Sequence, residues 1–295
     1  DLAKLSISKD AIQRQHDLKI VFSPIHGTGG VMVPPALKRF GFTNVITVDE
    51  QMIVDGNFPT VIYPNPEEAE ALTLALAKAA EVDADIVMAT DPDADRVGLA
   101  IKDDAGQFIL LNGNQALCLL VDYVLSAWES AKLNGDQYVV KTIVTSYMID
   151  AIAASKNVEC LNVLTGFKYI GEIMTQRQGK KTFVVGGEES YGYLVGEHAR
   201  DKDAVVACCM FAELAAYYKE QGRSVYDVLL GLYIKYGFYK EKLISITKKG
   251  KAGAEEIKAM MDDYRANTPT ELVEIKSSCS RIIKHLHLRI CALVK

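Results

Sequence analysis

The sequence contains no apolar run of the roughly 20 residues that a membrane-spanning helix needs, and its amino-terminal segment lacks the apolar core of a signal peptide. Positive charge is not in excess either, because 33 Lys and Arg residues stand against 38 Asp and Glu residues, for a formal net charge of −5. Nucleic acids and anionic membranes attract proteins through positive charge. We therefore expect neither a nucleic acid nor a membrane as a partner.

No two of the six cysteines form a C-x-x-C pair, and their spacings follow no regular ladder. A chain of this size can build a sufficient core without disulfides. The cysteines are therefore predicted to be small core residues of a reduced, cytoplasmic protein. They are Cys118, Cys160, Cys208, Cys209, Cys279 and Cys291.

The composition that is present, 49% hydrophobic and 24% charged, is that of an ordinary soluble globular protein. Short apolar runs alternate with segments of helical periodicity, and the alternation restarts at Tyr138 after a break near 133–136. This pattern predicts the α/β class, with two consecutive three-layer α/β domains built on mixed, mainly parallel sheets. The predicted domains are residues 1–133 and 134–245, and residues 246–295 are expected to form a linker remnant and an atypical tail.

Local signals predict several helix starts. Asn65-Pro66-Glu67-Glu68 combines a capping Asn with Pro and Glu in a first turn, which predicts a helix that begins there. Asn112-Gly113-Asn114-Gln115 predicts another capped start, for a helix expected to run to about Lys132. A helix tolerates Pro34 and Pro35 only near its start, so the helix after the first strand is expected to begin at about Val31.

The most informative segment is the acidic loop Thr90-Asp91-Pro92-Asp93-Ala94-Asp95-Arg96, which follows an apolar run. Three carboxylates at alternate positions of a loop can converge on one cation, and carboxylate oxygens suit Mg²⁺ or Ca²⁺ better than zinc. Arg96 follows directly, where its guanidinium could hold a phosphate. We expect Asp91, Asp93 and Asp95 to bind a metal ion at a site that also handles phosphate.

Three alternative interpretations start from the same acids. An EF-hand needs Gly at loop position 6 and Glu at position 12, where this chain has Arg96 and Lys102, so the EF-hand is excluded. Asp93-Ala94-Asp95-Arg96-Val97 also resembles the D-x-D-x-V motif of the haloacid-dehalogenase phosphatases. In such an enzyme Asp93 would be the nucleophile and Asp95 a general acid. That alternative remains open at the level of the sequence, as does a solvated acidic turn.

Four further loops carry polar or charged residues beside predicted strands or helices. His26-Gly27-Thr28-Gly29-Gly30 precedes a helix and is either a phosphate cradle or a structural turn. Glu188 and Ser190, between glycines, could grip sugar hydroxyls. The other two are Thr165-Gly166-Phe167-Lys168 and the charged loop from His198 to Asp203. Ligands of parallel sheets bind at the carboxyl ends of the strands, so we expect these loops near the acidic loop.

Taken in chain order, the motifs resemble those of the α-D-phosphohexomutases, the phosphoglucomutase and phosphomannomutase superfamily, from about Leu18 to Tyr264. The acidic loop stands where the family has its D-G-D-G-D-R magnesium loop, with Pro92 and Ala94 in place of glycines. Gly187-Glu188-Glu189-Ser190 matches the family's sugar-binding G-E-x-S loop, and Thr165-Gly166-Phe167-Lys168 resembles its T-G-x-K segment. The loop with His198, Arg200, Lys202 and Asp203 matches the charged loop that follows in the family.

The resemblance implies an isomerase, an intramolecular phosphotransferase. A phosphoserine would donate its phosphoryl group to a hexose phosphate, such as glucose or mannose 1- or 6-phosphate, and the bisphosphate intermediate would reorient and return the other phosphate. Mg²⁺ on Asp91, Asp93 and Asp95 would act as Lewis acid and template. The implied catalytic residues are Arg96, Lys141 and Lys168, and the implied substrate-binding residues are Glu188, Ser190, Lys168, His198, Arg200 and Lys202.

The resemblance also implies that the chain is a piece of a longer enzyme, because family members have four domains and these motifs belong to the second and third. The family's phosphoserine segment, T-x-S-H-N-P-like, and its R-x-S-G-T-E-P loop occur nowhere in the sequence. We therefore expect the chain alone to be inactive as a mutase. A non-catalytic fragment that binds metal and sugar phosphate is the third hypothesis, and the basic tail from Ser277 onward is assigned no function.

Overall fold

The computed structural model describes residues 2–128, 133–241 and 248–267. The chain divides into one compact unit that ends at Phe238 and a second that begins at Tyr239. Among the described residues, no helix is both long enough and apolar enough to cross a membrane. The predicted tail after Ser277 and the predicted helix end near Lys132 lie outside the described residues.

The described strands all belong to the first unit. They are β1 (Ile20–Ser23), β2 (Val45–Thr47), β3 (Ile86–Thr90), β4 (Val97–Lys102), β5 (Phe108–Leu111), β6 (Gln137–Thr142), β7 (Glu159–Val163), β8 (Thr182–Gly187) and β9 (Tyr193–Val195). The α-helices are α1 (Lys9–Arg14), α2 (Gly29–Phe40), α3 (Thr73–Val82), α4 (Gly113–Ala127), α5 (Met148–Ser155), α6 (Phe167–Arg177), α7 (Ala204–Glu220), α8 (Val225–Tyr236) and, in the second unit, α9 (Gly250–Ala266).

The first sheet has the strand order β2-β1-β3-β4-β5. Strands β2, β1 and β3 are parallel, whereas β4 and β5 form an antiparallel hairpin that extends the sheet. Val21 and Val87 pack against Ala75 and Ala79 of α3, so one face of the sheet is closed by that helix. Every residue of β3 is buried, and the acidic loop therefore leaves the centre of the sheet at the carboxyl end of a rigid strand.

The second sheet has the order β7-β6-β8-β9, with β6 parallel to both β7 and β8 and with β9 antiparallel at the edge. Tyr138 and Phe183 pack against Phe167 and Ile170 of α6 on one face. Helix α7 contacts strands of both sheets, namely β3, β4 and β9. The α/β class and the mixed, mainly parallel sheets predicted from the sequence are confirmed.

Two predicted helix starts are wrong in position. Helix α3 begins at Thr73 rather than at Asn65-Pro66-Glu67-Glu68, which forms turns. Long-range contacts hold that segment. Glu67 pairs with Arg96, and a Cβ placed on Gly98 would lie only 2.7 Å from the Cβ of Pro66. Asn65 still makes a capping bond, because its Oδ1 accepts the Glu67 amide at 3.1 Å, but the turn that it starts does not continue as an α-helix.

Helix α2 begins at Gly29, two residues earlier than expected, so Pro34 and Pro35 fall in its second turn. Gly29 is fixed there because it lies directly against Thr90, at the start of the acidic loop. The capped start of α4 is confirmed, since Asn112 and Gln115 exchange the two hydrogen bonds of a capping box.

Candidate functional site

The three acids of the acidic loop converge. One carboxylate oxygen each from Asp91, Asp93 and Asp95 lies within 4.8 Å of the other two. Ala94 has a left-handed backbone, with φ of 60°, and this sharp turn folds the loop back on itself. Three carboxylate oxygens on a tight loop are the donor set that Mg²⁺ takes in proteins. The residues present therefore fit the ion that the sequence predicts.

Asp91 organises the loop from within. The residue is 8% exposed, and Oδ1 of its side chain accepts the amide hydrogens of Asp95 (3.0 Å) and Arg96 (2.9 Å). Burial, together with the nearby carboxylates of Asp95 and Asp93, raises the pKa of Asp91 to about 7, although the hydrogen bond from the Arg96 amide acts in the opposite direction. A cation beside these carboxylates would relieve both the repulsion and the loss of hydration.

Two cationic side chains flank the triad. Arg96 is anchored by Glu67, with Nη1 at 2.7 Å from Oε1, and its Nε lies 3.7 Å from Asp91 Oδ2. Lys202 reaches in from the loop before α7 and places Nζ 2.9 Å from Asp95 Oδ2. The structure therefore brings the predicted residues Arg96 and Lys202 to the acids.

The acidic loop is joined directly to the loop that follows β8. An antiparallel β-bridge pairs Arg96 with Gly192, and the Val97 amide donates to the Tyr191 carbonyl at 3.0 Å. At the start of α7, the Ala204 amide donates to the carbonyl of Ala94 at 3.1 Å. The candidate metal site and the candidate sugar loop are thus neighbours that share backbone hydrogen bonds.

Glu188 is buried in that second loop. Its Oε1 accepts the amide hydrogen of Gly166 at 3.0 Å, which ties the predicted sugar loop to the Thr165-Gly166-Phe167-Lys168 segment. Burial raises the pKa of Glu188, while the Gly166 amide and the charge of Lys202 counteract it. Ser190 is half-buried in the same loop.

Glu189 ties its loop to the end of β6, a structural role that the sequence analysis did not predict. Its Oε2 accepts hydrogen bonds from the hydroxyls of Thr142 (3.0 Å) and Thr145 (3.1 Å), at the carboxyl end of β6. Two threonines three residues apart after a strand are the only signal in the sequence, and they do not indicate the partner. Glu188 and Glu189 are thus held by neutral donors from two different loops.

For three further predicted residues the structure shows local contacts. Lys168 is exposed in the first turn of α6, with Nζ over the ring of Tyr169. His198 Nε2 lies 2.8 Å from Asp203, which also caps α7. The guanidinium of Arg200 bonds the carbonyls of its own loop. Substrate contacts for Lys168, His198 and Arg200 stay predictions.

Lys141 occupies a different environment. The side chain is fully buried, with Nζ 3.0 Å from Asp150 Oδ2, hydrogen-bonded to Asn162 and 4.6 Å from the centre of the Tyr147 ring. These partners belong to β7, to α5 and to the loop before it, so the charge is compensated inside the second sheet. None of these partners belongs to the acidic loop. The catalytic role of Lys141 therefore remains a prediction.

The His26-Gly27-Thr28-Gly29-Gly30 loop meets the acidic loop as a structural turn. Buried His26 bonds the Ile53 carbonyl through Nδ1 and the Thr60 hydroxyl through Nε2. The Thr28 amide donates to the Pro92 carbonyl at 2.8 Å. Of the two functions left open by the sequence, these contacts favour the structural one.

Residues 2–106 match the family model for phosphoglucomutase/phosphomannomutase α/β/α domain II, and residues 112–236 match the model for domain III. The chain belongs to the phosphoglucomutase/phosphomannomutase family. This confirms the superfamily inferred from the acidic and sugar loops, and it places the matched residues in the two central domains.

Curated relatives in this family include phosphoglucomutases of staphylococci. The chain is 34% identical to the enzyme of Staphylococcus haemolyticus over 262 residues, which are 89% of this chain and 47% of that protein. It is 35% identical to an enzyme of Staphylococcus aureus over 260 residues, 88% of this chain and 47% of that protein. The chain thus spans about half the length of the curated relatives that it matches.

Solved structures share the fold at lower identity. A phosphoglucomutase/phosphomannomutase family protein from Burkholderia thailandensis has a TM-score of 0.57 at 22% identity, covering 79% of this chain and 46% of the other. Parafusin, a phosphoglucomutase from Paramecium, has a TM-score of 0.61 at 19% identity, covering 89% and 45%. An N-acetylphosphoglucosamine mutase from Aspergillus fumigatus has 0.52 at 14% identity, covering 78% and 52%.

Proposed function

We propose that this chain supplies the metal-binding and sugar-binding part of a cytoplasmic, Mg²⁺-dependent phosphohexomutase. The observation that carries the proposal is the direct contact between the two loops: Arg96 of the acidic loop forms an antiparallel β-bridge with Gly192 of the candidate sugar loop. Lys202, from the loop before α7, adds a cation 2.9 Å from Asp95. A metal-bound phosphoryl group and the sugar that exchanges it must be held side by side. This contact supplies that proximity.

Asp91, Asp93 and Asp95 would hold Mg²⁺, which when bound supplies positive charge that stabilises a phosphoryl group in transfer. Around that centre Arg96 and Lys202 would add charge from side chains that are already oriented by Glu67 and by Asp95 itself. The arginine fork can bind two phosphate oxygens at once, whereas Lys202 acts as a point charge.

Glu188 and Ser190 would bind sugar hydroxyls. The Gly166 amide holds Oε1 of Glu188, which leaves Oε2 to accept from a hydroxyl group. Lys168, in the first turn of α6, and His198 and Arg200, in the loop before α7, are proposed to contact the phosphate that is not being transferred. Lys141 is kept as a candidate acid–base group only through the family resemblance, since its charge is already paired with Asp150.

The proposed substrates are hexose phosphates, with glucose or mannose 1- and 6-phosphate and their bisphosphate as the first candidates. The Aspergillus fumigatus mutase is described in complex with GlcNAc-6P and magnesium, which supports this class of ligand. We propose that the chain alone binds metal and substrate without mutase turnover, because the family's phosphoserine segment is absent from its sequence.

The test is calorimetric titration of the chain with Mg²⁺ and with glucose 1-phosphate, alongside an assay for released inorganic phosphate. The variant is Asp93→Ala, and the matched control is Asp104→Ala, which removes an exposed acid from the β4–β5 turn. We expect the first variant to lose Mg²⁺ binding, the control to keep it, and no phosphate to be released.

Phosphate release that disappears in Asp93→Ala would favour the haloacid-dehalogenase mechanism over the mutase. Mutase turnover by the chain alone would show that the proposed inactivity is wrong. Mg²⁺ affinity that is equal in Asp93→Ala and wild type would remove the proposed metal site.

A further inference from the structure

Thr28 makes two hydrogen bonds to one carbonyl of the acidic loop. Its amide donates to the Pro92 carbonyl at 2.8 Å, and its hydroxyl Oγ1 donates to the same oxygen at 3.0 Å. Pro92 lies between Asp91 and Asp93 in the chain. Both bonds therefore act on the backbone that carries two of the three acids.

The hydroxyl of Thr28 does not cap the helix that follows it. Thr28 is the N-cap residue of α2, where a threonine side chain ordinarily accepts an amide hydrogen from the first helical turn. No such bond is formed here, and the backbone of Thr28 has helical angles, φ −75° and ψ −17°, rather than the extended ones of a capping residue. The side chain contacts the acidic loop instead of stabilising its own helix.

Two glycines allow this approach on either side of Asp91. A Cβ on Gly27 would lie 2.3 Å from the Cα of Pro92, and a Cβ on Gly29 would lie 2.4 Å from Oγ1 of Thr90. The turn is also held in a strained form, because Ile25 and His26 both have left-handed backbones, with φ of 47° and 60°. Residues 27–29 of the turn therefore lie directly against the acidic loop.

We propose that Thr28 is a positioning residue for the metal site. It fixes the Pro92 peptide so that Asp91 and Asp93 converge with Asp95 before any cation binds. The inference rests on the proposed function, because it assigns Thr28 a role toward the Mg²⁺ that the three acids are proposed to hold. Groups that orient metal ligands strengthen metal affinity without touching the ion.

Thr43 offers a matched control at the opposite end of the same sheet. Its amide and its hydroxyl both donate to the carbonyl of His16, at 2.8 and 3.0 Å, and Thr43 is exposed like Thr28. Thr28→Val and Thr43→Val thus remove the same kind of bond, one at the acidic loop and one far from it. Thr28→Ser keeps the hydroxyl and serves as the conservative variant.

The experiment measures two quantities on the whole chain. Calorimetry gives the Kd for Mg²⁺, and hydrogen exchange on the metal-free protein gives the protection of the Asp95 and Arg96 amides, which bond Asp91. We expect Thr28→Val to weaken Mg²⁺ binding about threefold to thirtyfold and to speed exchange of these amides about tenfold. Thr43→Val and Thr28→Ser should match the wild type in both measurements.

Unchanged exchange of the Asp95 and Arg96 amides in Thr28→Val would overturn the positioning role, whatever the metal affinity. Faster exchange with an unaltered Mg²⁺ Kd would also overturn it, because the loop would then be ordered by the ion itself. Faster exchange in a chain whose wild type binds no Mg²⁺ would leave Thr28 as a positioning residue of the loop and would refute the proposed metal function instead.

Discussion

The acidic loop after β3 and the candidate sugar loop after β8 each bury a carboxylate, at neighbouring places in the fold. In the first, Asp91 lies among like charges, with the oxygens of three acids within 4.8 Å. In the second, Glu188 accepts an amide and Glu189 accepts two hydroxyls, so uncharged donors hold the acids. Concentrated negative charge is suited to a cation, whereas neutral donors fix the direction of an acceptor without neutralising it.

The largest effect is expected from Asp91→Asn. The asparagine can still accept the amides of Asp95 and Arg96, but a charged oxygen is lost from the triad, so Mg²⁺ binding should weaken about 100-fold or more. The metal-free protein should become more stable by about 1 kcal/mol or more, because a buried charge is removed. Calorimetry and urea unfolding measure the two quantities. A metal-free variant less stable than wild type would mean that the loop is held together by the charge of Asp91.

Glu189→Ala tests the other half of the comparison. The hydroxyls of Thr142 and Thr145 would lose their shared acceptor, although they also bond each other at 2.7 Å. The free energy of unfolding in urea should fall by about 1–3 kcal/mol, with the Mg²⁺ Kd unchanged. Glu189→Gln, which keeps an acceptor oxygen, is the control and should show less than half of that loss. A large change in Mg²⁺ affinity would show that the two loops are not separable.

Lys202→Met addresses the cation that joins the loops. Without Nζ beside Asp95, the triad carries more uncompensated negative charge, so Mg²⁺ should bind about two- to fivefold more tightly, while glucose 1-phosphate binds more weakly. Lys219→Met is the matched control, because Lys219 pairs with Asp85 at 2.6 Å at the amino end of β3. Calorimetry decides the sign, and weaker Mg²⁺ binding in Lys202→Met would mean that the lysine orients Asp95 for the metal.

The smallest effect concerns Glu159, an acid placed between two cations. Hydrogen bonds and charge from Arg177 and Lys181 lower the pKa of Glu159 to about 2 from its ordinary 4.5. Because the folded-state pKa is depressed, the stabilisation is present above pH 4.5 and is lost as the pH falls toward 2. The side chain is 36% exposed, so screening limits the contribution to about 1 kcal/mol or less. The stability gap between wild type and Glu159→Gln should narrow from pH 7 to pH 3; a constant gap would contradict this.

The parts of the fold and the site that local spacing specifies could be predicted from the sequence. The alternation of Asp91, Asp93 and Asp95 indicates that their side chains can share one cation, and the caps at Asn112 and Asp203 depend on amides two or three residues away. Strand-and-helix alternation likewise predicts the two sheets, because each element is defined by its own periodicity.

The parts that could not be predicted depend on distant partners. Arg96 pairs with Glu67 from 29 residues away, Thr28 bonds Pro92 from 64 residues away, and Glu189 lies 47 residues from Thr142. The sequence gives the donor and the acceptor in each case but not their pairing. Strand β9 could not be predicted for a related reason, because an edge strand of three residues is defined only by its pairing with β8.

Helix α7 determines whether the two sheets can move relative to each other. It contacts strands of both sheets, its first amide bonds Ala94 of the acidic loop, and at its middle Oε1 of buried Glu213 accepts the amides of Ile7 and Ser8. A hinge motion between the sheets would have to break the contacts of this helix with one of them, and also the bridge from Arg96 to Gly192. We therefore expect the two sheets to move as one rigid body. The distance between Asp95 and Lys202 is then fixed by the packing of the core, and it should be the same with and without a bound ligand.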